Sequence, residues 1–134
     1  PHFFTESIAL SAINDARLAY ENKDLKQRLG KYHKDPDNAF YGWIDSWLHP
    51  DFTQWSVSSV LETLQVPVLA VQGLQDQYGT QAQIDVIEQK SPNAVYKLLL
   101  DNCRHSSFLD CPAEVLKEIT RFCTRISTPS STHS

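Results

Sequence analysis

The sequence has 134 residues, a length that suits one modest domain with a hydrophobic core. Hydrophobic residues make up 41% and charged residues 21%, an ordinary globular balance. No apolar run reaches about 18 residues, the length that a membrane span needs. The net charge of -4 argues against nucleic acid as a partner, because phosphate-binding surfaces concentrate lysine and arginine.

The first residues and the cysteines set expectations about origin and compartment. The sequence contains no methionine, so we expect the chain to be processed or cut from a longer protein. Its first residues lack the basic stretch and cleavage site of a signal peptide. The three cysteines, Cys103, Cys111 and Cys123, have no CxxC spacing, which predicts reduced thiols. The sequence does not exclude a disulfide between two of them. We therefore predict a cytoplasmic protein.

Residues 1–64 are predicted to form a series of helices rich in aromatic side chains. Apolar residues recur at helical spacing over residues 8–20. Asp24 with Gln27 resembles a capping box ahead of a second helix. The Asp-Pro pair at residues 35–36 predicts a third, because it supplies an acidic N-cap followed by proline at the first helical position.

The third helix carries a broad apolar stripe, which the His-Pro pair at residues 49–50 ends. Its members fall at i, i+3, i+4, i+7 and i+8: Phe40, Trp43, Ile44, Trp47 and Leu48. Trp43 and Trp47 are candidates for an apolar substrate pocket, and packing onto a core is an equally good explanation of the stripe. A short further helix is predicted over residues 57–64.

The pattern changes after residue 64. Residues 66–71 form a short apolar run that predicts a strand buried on both faces. Thr80 with Gln83 predicts a capped helix that runs to residue 89. Residues 94–100 predict a second strand.

A last helix is predicted to begin with Asp110, Pro112 and Glu114. Its apolar residues recur at helical spacing: Val115, Leu116, Ile119, Phe122, Cys123 and Ile126. Because strands and helices alternate over residues 65–126, we predict an α/β fold with parallel strands. The polar residues 127–134 are predicted to be a disordered tail.

Two charged side chains follow the predicted strands. Asp76 lies three residues after Gly73, and His105 lies five residues after Leu100. The carboxyl ends of parallel strands meet at one edge of a sheet, and adjacent strands are about 5 Å apart, so we expect the two side chains to hydrogen-bond. A carboxylate that accepts from Nδ1–H fixes the imidazole tautomer and supports it as a general base.

The order strand, Gly-x-x-Asp-x-Tyr-Gly-Thr, helix, strand, Cys-x-His-Ser, helix resembles the last third of α/β-hydrolases. In that family the chain order is nucleophile, acid, histidine. The resemblance implies that Asp76 is the acid and His105 the histidine, with no metal or other cofactor. It also implies that residues 1–64 resemble the helical cap, and that residues 65–126 are the C-terminal part of the hydrolase core.

The sequence departs from the family pattern at three places. Arg104 stands where relatives have glycine before the histidine, and a cation there is expected to disfavour the imidazolium of His105. Gln75 stands where a second acidic residue often precedes the acid. No Gly-x-Ser-x-Gly nucleophile elbow is present. We therefore expect this chain to be inactive alone.

Two functions from different classes fit these observations. The first is the C-terminal part of a serine-type hydrolase that cleaves an ester or related bond in a small apolar substrate. The second is a non-catalytic interaction module. A sheet that lacks its neighbouring strands would have an exposed edge, so we expect a homodimer or higher oligomer. Cys103 and His105 are not expected to bind a metal, because two ligands do not make a site.

Overall fold

The chain folds into α-helices and a parallel pair of strands, in a computed structural model that describes residues 2–128. In chain order the elements are α1 (Ser7–Asn22), α2 (Leu25–Leu29), α3 (Pro36–Leu48), β1 (Val68–Gly73), α4 (Ala82–Lys90), β2 (Val95–Leu100), α5 (Ser107–Asp110) and α6 (Pro112–Ser127). Two 3-10 helices cover Pro50–Gln54 and Ser58–Thr63. This mixed composition confirms the predicted α/β class. None of the helices within residues 2–128 combines the length and apolar character of a membrane-spanning helix.

The two strands pair in parallel, as predicted. Their register runs from Val68 opposite Val95 to Gly73 opposite Leu100. Helix α4 connects them and buries Ile84 against its surroundings, with 1% of that residue exposed. Because both strands end level with each other, the loops that follow them start side by side.

The chain divides into two compact units. The helical unit comprises Pro1–Val57 and Gln77–Gly79, and the α/β unit comprises Ser58–Asp76 and Thr80–Ser134. The 3-10 helix after residue 57 therefore belongs to the α/β unit. Helix α6 extends to Ser127, and residues 129–134 of the predicted tail lie outside the described residues.

The helical unit has an aromatic core. Tyr20 of α1 stacks on Phe40 of α3 with ring centroids 3.9 Å apart, and Ile44 is fully buried beside them. The Tyr20 hydroxyl donates to Asp37, which also forms an ion pair with Lys26. Aromatic packing and a partly exposed ion pair thus join α1, α2 and α3.

Two of the predicted helix caps differ in the structure. Asp24 makes no side-chain cap, because its backbone is helical rather than extended, and α2 ends at Leu29. At the start of α4 the N-cap is Gln81, one residue after the predicted cap, Thr80. The Thr80 hydroxyl accepts from the N–H of Ala82 at 3.2 Å.

The predicted start of α3 is confirmed, and the last helix begins within the stretch that was predicted. The Asp35 carboxylate accepts from the N–H of Asn38 at 3.0 Å, as an N-cap should. Helix α6 begins at Pro112 and has Glu114 in its first turn, as predicted, whereas Asp110 ends the short preceding helix α5. Only part of the predicted apolar face of α6 is buried, and Leu116 is 66% exposed.

Candidate active site

Asp76 and His105 lie on the two loops that follow the parallel strands, and their side chains meet. The Nδ1 atom of His105 is 3.0 Å from Oδ2 and 3.1 Å from Oδ1 of Asp76. The Asp76 side chain is 9% exposed, whereas the His105 side chain is 40% exposed. The structure therefore brings together the two residues that the sequence singles out, while their catalytic role stays a prediction.

The chemistry of the two groups determines which nitrogen carries the proton. An ionised carboxylate only accepts hydrogen bonds, so Nδ1 of His105 must donate to Asp76. The basic lone pair of a neutral ring then lies on Nε2. The arrangement can hold an imidazole in one tautomer and stabilise the imidazolium that forms when Nε2 takes a proton.

A glycine at the end of β1 allows the histidine loop, residues 101–106, to approach. A Cβ atom on Gly73 would overlap the backbone of Cys103 and Arg104. The N–H of Leu74 donates to the carbonyl of Leu100 at 2.8 Å, which continues the strand pairing into the loops. The absence of a side chain at residue 73 is thus what lets the acid and histidine loops run side by side.

Arg104, the cation next to His105, has a partner that the sequence did not indicate. Its Nε and Nη2 donate to the two carboxylate oxygens of Asp110, each at 3.1 Å. The hydrogen bonds from Arg104 hold the pKa of Asp110 below its usual range. Asp110 thus offsets the charge of Arg104, which would otherwise oppose the imidazolium of His105.

Cys103, whose thiol is a possible nucleophile in the histidine loop, is fully buried. Desolvation raises the pKa of its thiol to about 11. A thiol attacks as its thiolate, so this cysteine is a poor nucleophile near neutral pH. All three cysteines are free thiols in the structure.

A separate apolar cavity of about 360 Å³ lies within the helical unit. Its volume falls within the about 300–1,000 Å³ typical of ligand pockets. Trp43 lines it, whereas Trp47 lies in another aromatic cluster with Phe52 and Trp55. The full lining is Ala16, Leu25, Leu29, His33, Ala39, Phe40, Trp43 and Tyr78.

Comparison with known proteins gives a likeness of fold. Neither the family models searched nor the curated proteins match the sequence. The structure is similar to the crystal structure of RhEst1, an esterase from Rhodococcus sp. ECU1013, with a TM-score of 0.50 and 18% identity. The chain therefore shares its fold with part of that esterase chain. The match covers 87% of this chain and 42% of the esterase chain, and it is consistent with a partial α/β-hydrolase fold.

Two contributors to this site were not predicted as such. Gln75 and Asp110 both hold the backbone of the histidine loop through their side chains. The sequence marked Gln75 only as a departure from the family pattern and Asp110 only as a helix start. No group of three histidine, cysteine or acidic side chains suited to a metal occurs among residues 2–128.

Proposed function

We propose that this chain supplies the acid and the base of a serine-type hydrolase, and that the nucleophile comes from a segment outside this sequence. The observation that carries the proposal is the hydrogen bond from His105 Nδ1 to Asp76, at 3.0 Å, between loops that follow adjacent parallel strands. The esterase-like fold supports it independently. The order of acid before histidine along the chain also fits the hydrolase pattern.

In the proposed reaction, Nε2 of His105 takes the proton of the serine hydroxyl as the oxygen attacks the carbonyl carbon of an ester. The same proton then passes to the leaving alcohol, so that the ester bond breaks and an acyl-enzyme forms. A water molecule then repeats these proton transfers as it attacks the acyl-enzyme, and the carboxylic acid product is released. Asp76 stays ionised and stabilises the imidazolium, and its low exposure strengthens that interaction.

The nucleophile is proposed to lie elsewhere because no serine in this sequence stands in a Gly-x-Ser-x-Gly elbow. Ser46 is on helix α3, where its hydroxyl donates to the carbonyl of Gly42 at 2.8 Å. A helical serine bonded to its own helix lacks the strained strand-to-helix turn that exposes a nucleophile. The chain alone is therefore proposed to be inactive.

The apolar cavity of the helical unit is the proposed binding site for the apolar part of the substrate. Its lining is mostly hydrocarbon. Trp43 and Phe40 contribute aromatic faces, and His33 contributes an imidazole. We propose a compact aromatic or branched acyl group as its ligand.

A fluorophosphonate reagent, which labels activated serines, tests the proposed function. We expect it to label the longer protein that contains this sequence, at a serine outside these residues, and not to label this chain alone. The His105→Ala variant of the longer protein should lose labelling, because the serine then has no base. Labelling at a serine of this chain, or labelling that survives His105→Ala, would contradict the proposal.

A second candidate function is self-association, which the exposed apolar surface of the α/β unit favours. Among residues 2–128 the sheet consists of β1 and β2, so each strand has a neighbouring strand on one side only. Phe108, Leu109 and Leu116 are each more than 60% exposed. Unpaired strand edges and exposed apolar side chains attract a second chain. Sedimentation of this chain over a range of concentrations tests it, and a monomer at all of them would reject it.

A further inference from the structure

The histidine loop, defined as residues 101–106, needs external support to hold its conformation. It leaves β2 through a turn in which Asn102 has a φ of 52°, in the left-handed region that asparagine tolerates better than most residues. No strand or helix covers residues 101–106. The position of His105 therefore depends on the bonds that the loop backbone makes with its neighbours.

Gln75 bonds this loop through both its backbone and its side chain. The N–H of Gln75 donates to the carbonyl of Cys103 at 2.9 Å, and the N–H of Cys103 donates to Oε1 of Gln75 at 3.0 Å. Cys103 has no exposed surface, so water does not reach its N–H, and the glutamine oxygen is the partner that satisfies it. This reciprocal pair fixes the loop two residues before His105.

The chain position of Gln75 makes the pair relevant to the dyad. Gln75 immediately precedes Asp76, so neighbouring residues of the acid loop hold the Cys103 backbone and the His105 ring. One rigid peptide unit separates the residue that bonds Cys103 from the residue that bonds His105. Displacement of Cys103 by 1 Å or so would lengthen the hydrogen bond of the dyad beyond its useful range.

A second anchor lies on the other side of Cys103. The N–H of Arg104 donates to Oδ2 of Asp110 at 2.9 Å, and the same carboxylate holds the Arg104 guanidinium. Asp110 thus ties both the backbone and the side chain of the residue before His105 to helix α5. The two anchors use the positions where this sequence departs from the hydrolase pattern.

We propose that Gln75 is a positioning residue for His105, acting through Cys103, with Asp110 as a supporting anchor. This inference rests on the proposed function. Gln75 touches no reacting atom in this role. It sets the distance between the imidazole and the carboxylate, and so keeps the hydrogen of the ring on Nδ1.

Nuclear magnetic resonance of this chain tests the proposal without substrate. In Gln75→Leu, the amide of Cys103 should exchange with solvent about tenfold faster, the factor that corresponds to one lost hydrogen bond. The ring ¹⁵N shifts of His105 should change from one tautomer, with hydrogen on Nδ1, to a mixture. Gln75→Glu keeps the acceptor oxygen and should preserve both signals.

Two further variants separate positioning from a general effect on folding. Gln75→Asn keeps the amide but withdraws its oxygen by about 1.5 Å, one bond length, and should resemble Gln75→Leu. Gln77→Leu removes an exposed glutamine two residues away and should leave both signals unchanged. Folded Gln75→Leu and Gln75→Asn proteins with unaltered Cys103 exchange and His105 shifts would overturn the proposal. Unfolding of both, with Gln77→Leu folded, would also overturn it, because the role would then be general stability.

These signals and the fluorophosphonate labelling fail separately. If the His105 tautomer responds to Gln75 but the longer protein is not labelled, the positioning role stands and the hydrolase function is rejected. If labelling depends on His105 but the tautomer ignores Gln75, only the positioning role is lost.

Discussion

The two units of the molecule use their apolar residues in different ways. The helical unit closes a core around Tyr20, Phe40 and Ile44, and its aromatic rings contact one another at short range. The α/β unit buries small and aliphatic side chains beside its sheet, and it leaves Phe108 and Leu116 of its last helices exposed. Aromatic packing thus stabilises the first unit, whereas hydrogen bonds between loops define the candidate site of the second.

This difference indicates where each unit is sensitive to mutation. In the helical unit, loss of one buried ring removes many contacts at once. In the α/β unit, the critical positions are those where backbone segments approach closely, around residues 73–76 and 101–106. Pairs of mutations within each unit test this difference.

The largest effect is expected from Phe40→Ala in the helical unit. Removal of the ring that stacks on Tyr20 should lower the free energy of unfolding by about 3–5 kcal/mol, because a buried cavity replaces it. Tyr32→Ala is the control, since Tyr32 is 83% exposed, and it should change stability by less than about 0.5 kcal/mol. Urea denaturation measures both. Equal losses in the two variants would show that the aromatic core is not the source of stability.

Two glycine replacements should have opposite signs. Gly73→Ala forces the histidine loop away from β1 and should destabilise by about 1–3 kcal/mol, as overpacking does. Gly42→Ala, inside α3 with open space around it, should stabilise by about 0.5–1 kcal/mol through helix propensity. Thermal unfolding followed by circular dichroism compares them. Stabilisation by Gly73→Ala would mean that the close approach of the two loops is absent in solution.

A smaller effect on folding, but a clear one on association, is expected from Leu116→Glu on α6. The residue is 66% exposed, so its replacement should change stability by no more than about 0.5 kcal/mol. A charge there should weaken any dimer formed through this surface. Sedimentation velocity gives the measurement, with Lys117→Glu as the neighbouring control. Dimers that tolerate Leu116→Glu would place the contact elsewhere.

The smallest effect is expected from Asp110→Asn, and it should depend on pH. Hydrogen bonds from Arg104 lower the pKa of Asp110 from its ordinary value of 3.8. A lowered pKa contributes stability that is complete above the ordinary value and is lost as the pH falls through the folded value. The wild-type advantage over Asp110→Asn should therefore be present at neutral pH and shrink below about pH 4. An advantage that grows on acidification would contradict the ion pair.

The features that the sequence predicts well are those with a strong local signal. The parallel strands follow from two short apolar runs separated by a helix, and the start of α3 follows from Asp35 before Pro36. The meeting of Asp76 with His105 follows from the rule that loops after parallel strands share an edge. Each of these depends on residues close together in the chain or on a general rule of topology.

The features that the sequence could not predict depend on tertiary context. Asp24 fits a capping pattern, yet its backbone is helical in the structure. Asp110 has a helix-start position in the sequence, whereas its carboxylate pairs with Arg104 six residues earlier. The hydrogen bond between the Gln75 side chain and the Cys103 N–H joins residues 28 positions apart, and no pattern in a single sequence indicates such a bond.

The proposed acid role of Asp76 is tested most directly by the rate of aryl-ester hydrolysis by the proposed longer protein, with and without Asp76→Asn. The amide preserves the shape of the side chain but cannot stabilise an imidazolium or enforce the same tautomer. We expect kcat to fall by about 10³- to 10⁴-fold in a folded variant, as for the acid of a serine triad. A folded Asp76→Asn protein with kcat within about threefold of wild type would show that this aspartate is a structural turn residue.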